Sequence, residues 1–160
     1  MVRPEGFRAA MRQLASGLVV VTTWVDGRPW GMAVTACCSL SAEPALVLVS
    51  LHGRTRSRAA IRDGARFGVN ILGAGQKDVA EAAARPGRPK YLDEHCVADA
   101  HAAPRIAGAL ASLDCVARHE IDVADHTLVV GAVEQVVSAP ADRAPLVYFD
   151  RAYRTIGEEL

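Results

Sequence analysis

Four consecutive residues, Arg54, Thr55, Arg56 and Ser57, set two guanidinium groups and two hydroxyls ahead of a stretch that reads as a short helix, Arg58–Asp63, capped by Ser57 and stopped by Gly64. Fixed positive charge, hydroxyl donors and the unpaired N–H groups of a helix start all favour a dianion, so the group suits a phosphate. Just upstream, GMAVTACCSLS at 31–41 places a turn glycine before small and hydroxyl residues. Small side chains let a planar molecule approach backbone N–H groups, and the two segments together suit a phosphate-bearing planar cofactor. The plain alternatives are a solvated basic loop and a strand edge packed with small residues.

Asp125-His126 is a second polar pair, at a turn before a strand, where a turn aspartate beside a half-exposed histidine is the plain reading. His95, Cys96, His101, Asp93, Glu94 and Asp99 match no tight ligand spacing, and no metal is expected. The cysteines at 37, 38, 96 and 115 contain no C-x-x-C pair, which argues against a disulfide framework or a zinc ribbon. The absence of G-x-G-x-x-G, P-loop and G-x-S-x-G sequences removes Rossmann, NTPase and α/β-hydrolase readings.

Eighteen basic residues balance eighteen acidic ones over 160 residues, so no global field draws the chain to nucleic acid or an anionic membrane. Sixteen of the basic residues are arginine, a compositional bias without functional weight. The longest apolar runs, Leu18–Val21 and Ala45–Val49, are far short of the ~20 residues of a membrane span. The N-terminus lacks a signal-peptide apolar region, which predicts a cytoplasmic protein. One domain over 1–160 is expected.

Several elements must position these residues. Phe7, Met11, Leu14 and Leu18 recur at helical spacing, predicting a helix over residues 5–16 that packs its stripe on the body and ends at Gly17. Val19–Trp24 and Pro29–Ser39 read as strands joined by an Asp26-Gly27 turn, and Ala45–Leu51 as a strand buried on both sides. Arg66–Leu72 is a further strand, followed by a helix from about Gln76 to Ala84. Residues 85–110 read as a long surface excursion. Ser112–Val123 alternates, with Leu113, Cys115, Ala117, His119, Ile121 and Val123 on one face. It forms a hairpin with His126–Val137, and strands at Leu146–Phe149 and near Tyr153–Ile156 follow. About seven strands with three helices and no regular β-α alternation predict a mainly β fold, an antiparallel barrel with peripheral helices.

In order and spacing the chain resembles the flavin reductase family, whose fold is the FMN-binding split β-barrel. The resemblance spans roughly residues 7–156. It is carried by Gly31, Thr35, Ala36, Ser39, Leu40, Ser41, Glu43 and Pro44, by Phe67–Leu72, by Asp125-His126 with Gly131, and by Pro145-Leu146 with Tyr153-Arg154. Ala33 and Cys37 stand where the family commonly has Thr and Phe. The resemblance implies a flavin site from Val34, Thr35, Ala36, Cys37 and Ser39, from Ser50, Leu51 and His52, from Arg54, Thr55 and Ser57, and from Lys90, Tyr153 and Arg154. It implies that His126, oriented by Asp125, places the nicotinamide.

The implied activity is an NAD(P)H:flavin oxidoreductase passing reduced FMN or FAD to a separate flavin-dependent oxygenase, with NADH or NADPH as co-substrate. A homodimer is implied as well. A flavin-binding electron carrier, or a split-barrel enzyme turned to other flavin chemistry, stays open at this point.

Overall fold

The computed structural model describes residues 2–157 except 63, 98, 100 and 141. Along the chain, α1 (Pro4–Met11) precedes β1 (Ser16–Gly17), β2 (Val19–Val25), β3 (Arg28–Val34), β4 (Cys37–Ala42) and β5 (Ala45–His52). Then come α2 (Arg56–Ala60), β6 (Arg66–Ile71), α3 (Lys77–Ala84), β7 (Cys96–Val97) and β8 (Arg105–Ile106). The hairpin of β9 (Ala111–Val123) and β10 (His126–Ser138) leads to β11 (Val147–Phe149) and β12 (Ala152–Arg154).

Seven strands form one antiparallel sheet in the order β3-β2-β6-β9-β10-β5-β4. Its two edges, β3 and β4, are consecutive in the chain and separated only by Thr35 and Ala36. Two residues reach from edge to edge only if the sheet curls back on itself, and the result is the expected split barrel. Val19, Val21, Val49, Leu51, Phe67, Val69, Cys115 and Val129 fill its interior with Ile61, which follows α2. A second cluster lies outside, where Leu18, Val20 and Leu72 meet Val79, Ala80 and Ala83 of α3 and Leu92 and Ile106 of the excursion. β2 is therefore buried on both faces, and its run of β-branched residues reflects that.

Asn70 joins these layers. Its Nδ2 donates to the Val20 carbonyl and to Thr22 Oγ1, and its Oδ1 accepts from Ile106 N and Ser112 Oγ. Thr22 Oγ1 donates to the Pro104 carbonyl. The 85–110 excursion is consequently held down, with Leu92 and Ile106 buried, rather than lying loose on the surface.

Other expectations change too. α1 ends at Met11, because the chain leaves it to pair β1 with β11, and Phe7, Met11 and Leu14 are exposed instead of packed. The expected strand Pro29–Ser39 breaks at Thr35-Ala36, where the chain crosses between edges, and β4 pairs with β5. β5 is buried on one face only, through Val47, Val49 and Leu51. Gly31 is not a turn residue. It pairs with Thr22 inside β3, and a β-carbon there would lie 2.2 Å from Leu92 Cδ1. In β9 the register slips at Arg118, between the pairs Val130–His119 and Gly131–Ala117. The face then changes, so His119, Ile121 and Val123 are exposed while Leu113, Cys115 and Ala117 turn inward.

Candidate functional site

The segment after β5 is a tight, self-bonded loop. Thr55 N and Thr55 Oγ1 both donate to the His52 carbonyl, at 3.0 and 2.8 Å, and Arg54 N donates to His52 Nδ1 at 3.2 Å. Arg58 N donates to Thr55 Oγ1 at 3.2 Å, so Thr55 is the helix cap and α2 starts at Arg56. This corrects the assignment of the cap to Ser57, whose expected helix end, Asp63, lies outside the described residues. Ser57 sits two residues further on, in the first turn of α2, fully buried, and its Oγ has no partner among the described residues.

On one side of this loop is a cleft of about 460 Å³ lined by Trp30, Met32, Arg54, Thr55, Arg88 and Lys90, with Arg56 at its wall. The excursion delivers Lys90 by adding itself to the free edge of β3. Gly31 N donates to the Lys90 carbonyl at 3.0 Å and Leu92 N to the Pro29 carbonyl at 2.9 Å, while Tyr91 meets the Trp30 ring edge-on at 5.0 Å. Arg56 is committed, 3.2 Å from both Asp26 Oδ2 and Tyr91 Oη. Arg54, Arg88 and Lys90 have no carboxylate partner among the described residues. Burial lowers the Lys90 pKa from the ordinary lysine value.

On the other side lies a cleft lined by His52, Arg54, Arg58, Arg62, Asp125 and His126. The pairing of β5 with β10 sets His52 directly opposite His126, with ring centroids 5.3 Å apart. Asp125 Oδ1 lies 2.7 Å from His126 Nδ1 and Oδ2 lies 3.7 Å from His52 Nε2. The hydrogen bond with His126 holds the Asp125 carboxyl below its usual pKa. Gly53 N donates to the Asp125 carbonyl at 2.9 Å and ties the turn to the loop.

The break at Thr35-Ala36 adjoins this region, since Ser50 N donates to the Ala36 carbonyl at 3.0 Å. Both residues are exposed and stand outside the strand ladders. Thr35 and Ala36 line a cleft with Phe7, Met11 and Tyr148, and Thr35, Cys37 and Ser39 line the apolar mouth of the barrel with Val47 and Val69. Burial pushes the Cys37 thiol up to about 11, so it is a neutral wall rather than a nucleophile. Val34 and Leu51 point into the core and have only backbone groups to offer.

The structure thus brings together His52, Arg54, Thr55, Lys90, Asp125 and His126 around one loop, with the 35–39 break joined to it through Ser50. It draws Tyr153 elsewhere, onto Tyr148 and into the α3 cluster, and sets Arg154 beside Phe149. Sequence reasoning missed Arg88, whose only signal was its place between two turn-forming residues, Gly87 and Pro89. Arg58, which follows the basic loop in sequence, is turned away from it to Glu120.

A family model described as flavin reductase like domain matches residues 11–157. The reductase component of 4-hydroxyphenylacetate 3-monooxygenase from Thermus thermophilus is 37% identical over 155 residues, covering 95% of this chain and 96% of that protein. Among solved structures, the flavin reductase PheA2 in its native state superposes with a TM-score of 0.87 at 30% identity, covering 98% of this chain and all of that one. The Streptomyces globisporus NADH:FAD oxidoreductase SgcE6, solved with NAD and FAD fragments, gives 0.86 at 27% identity over 98% of this chain and 96% of that one. This chain belongs to the flavin reductase like domain family.

Proposed function

We propose that this protein is an NAD(P)H-dependent flavin reductase that supplies reduced FMN or FAD to a separate monooxygenase. Bound flavin would supply the hydride acceptor and the nicotinamide the hydride donor. The observation that carries the residue assignment is the uncompensated cation group of Arg54, Arg88 and Lys90 beside a capped loop, which fits a phosphate and leaves the isoalloxazine to reach the exposed break at Thr35-Ala36.

Each residue has a separate task. Thr55, its hydroxyl spent on His52 and Arg58, holds the loop's shape while Arg54, Arg88 and Lys90 bind the phosphate oxygens. The backbone N–H groups of 35 and 36 offer dipoles to the electron-rich edge of the ring. His126, oriented by Asp125 and flanked by His52, places the nicotinamide carboxamide in the neighbouring cleft. Proximity and orientation are what the site contributes to hydride transfer, and no nucleophile or metal is needed. An anaerobic stopped-flow mixture of the protein, FMN and NADH should lose flavin absorbance at 450 nm in a single-turnover phase, roughly median enzyme speed or about 10 per second. Absence of bleaching with flavin bound would favour a carrier.

The active form we infer is a homodimer. Leu46 and Leu48 of β5 stand half-buried on the outer face of the sheet beside Leu128 and Val130 of β10, with exposed Ile121 and Val123 on β9 and Leu40 on β4. An apolar sheet face of this extent calls for a partner, and a second copy meets it by two-fold symmetry. Sedimentation should give twice the 17.0 kDa of one chain. All four cysteines are free thiols, which suits the reducing cytoplasm.

A further inference from the structure

Arg58 leaves the first turn of α2 and crosses to the β9–β10 hairpin. Its Nη2 lies 2.6 Å from Glu120 Oε2, and its Nε donates to Thr127 Oγ1 at 2.8 Å. Thr127 Oγ1 donates in turn to Asp122 Oδ1 at 2.7 Å, and Arg58 Nη1 donates to the Ile61 carbonyl at 3.4 Å. The Arg58 and Glu120 side chains keep only 15% and 21% of their exposure, so the pair is largely withdrawn from water and its loss is felt more than that of a surface pair.

The slip at Arg118 makes this contact possible. With unbroken alternation Glu120 and Asp122 would lie opposite to the inward Thr127, whereas the extra residue brings all three to the end of the barrel where α2 sits. Thr127 is 2% exposed and is bonded in sequence to His126, so fixing one leaves the other little freedom. α2 in turn continues directly from the loop carrying Arg54 and Thr55.

We propose that Arg58 is a positioning residue, which with Glu120 and Thr127 sets the place of His126 relative to the flavin-phosphate loop and so the alignment of hydride donor with acceptor. It rests on the reading of His126 as the nicotinamide-placing group. Arg58 lines the His126 cleft, but its guanidinium is committed to Glu120 and Thr127, and through them it fixes the spacing of the two elements that hold the reactants.

The test compares Arg58→Met, Glu120→Gln, their double variant and Arg58→Lys in the full-length protein, with His126→Ala as reference. FMN dissociation constants come from fluorescence titration, and reduction rates from single turnover with saturating NADH. Misplacement by about 1 Å costs on the order of a hundredfold, so a smaller displacement should slow limiting reduction about tenfold in each single variant. The double variant should be no slower than either single, Arg58→Lys should recover part of the rate, and FMN affinity should stay within about twofold. A parallel loss of FMN affinity would mean general loosening and would overturn the proposal, and so would an unaffected Glu120→Gln beside a slow Arg58→Met, which would put Arg58 on the co-substrate itself. If His126→Ala is slow and the Arg58 variants are not, the tether alone is wrong. If His126→Ala is unaffected, the nicotinamide assignment fails and the tether fails with it.

Discussion

Two clefts flank the loop at 52–57, and Arg54 lines both. On the Lys90 side, Arg54, Arg88 and Lys90 converge without a carboxylate among the described residues, and only Arg56 is paired. On the His126 side Arg62 and the shared Arg54 have no carboxylate partner among the described residues, but the groups that set its geometry are paired. Arg58 holds Glu120, and Asp125 holds His126. Charges with partners fix shape, whereas exposed Arg54 and Arg88 and half-buried Lys90 keep donors free to meet an anion. The first side is therefore built for affinity and the second for orientation.

The largest expected effect tests the affinity side. Replacing Arg54 and Lys90 together by Met should weaken FMN by about 3 kcal/mol, two charge-assisted hydrogen bonds at the low end of their range, and leave riboflavin binding unchanged. Equal losses for both ligands would move the phosphate away from this cleft. Next, His126→Ala should lower kcat/KM for NADH by about 1–3 kcal/mol with little change in the flavin dissociation constant, as expected of a polar contact that orients a second substrate. A loss of flavin affinity without slower reduction would erase the distinction between the sides.

A smaller effect follows from pH. Burial lowers the Lys90 pKa, so its ammonium disappears as pH rises through that lowered value, earlier than for an exposed lysine. FMN affinity should hold near neutrality and fall in the alkaline range, a fall that Lys90→Arg removes. Titrations from pH 7 to pH 10 would show it. Smallest of all, Ser57→Ala removes a buried hydroxyl that has no partner among the described residues, and should leave FMN affinity unchanged while raising thermal stability slightly. An FMN-specific loss would instead bring that hydroxyl onto the phosphate.

The sequence was legible where local chemistry decides. The Asp26-Gly27 turn, with φ of 53° and 70°, and the alternation of β-branched residues announced hairpins and strands. The basic loop and the Asp-His pair announced themselves by residue type. What the sequence concealed was long-range pairing. Nothing near His52 says that it faces His126, because that follows from the register of β5 on β10. The slip at Arg118 reverses the faces of β9 without any glycine or proline within that strand to mark it. By type Ser57 is at least as good a cap as Thr55, and what singles out Thr55 is the loop geometry that brings its hydroxyl to Arg58 N and the His52 carbonyl.

The backbone pairing of Lys90 and Leu92 with β3 has a further consequence for solubility. A seven-stranded sheet with an open β3 would present unpaired N–H and C=O groups to any other extended chain. The excursion occupies part of that edge, so the residues that carry Lys90 to its cleft also serve as a guard against edge-to-edge polymerisation. Shortening the loop would bring aggregation as well as weaker phosphate binding.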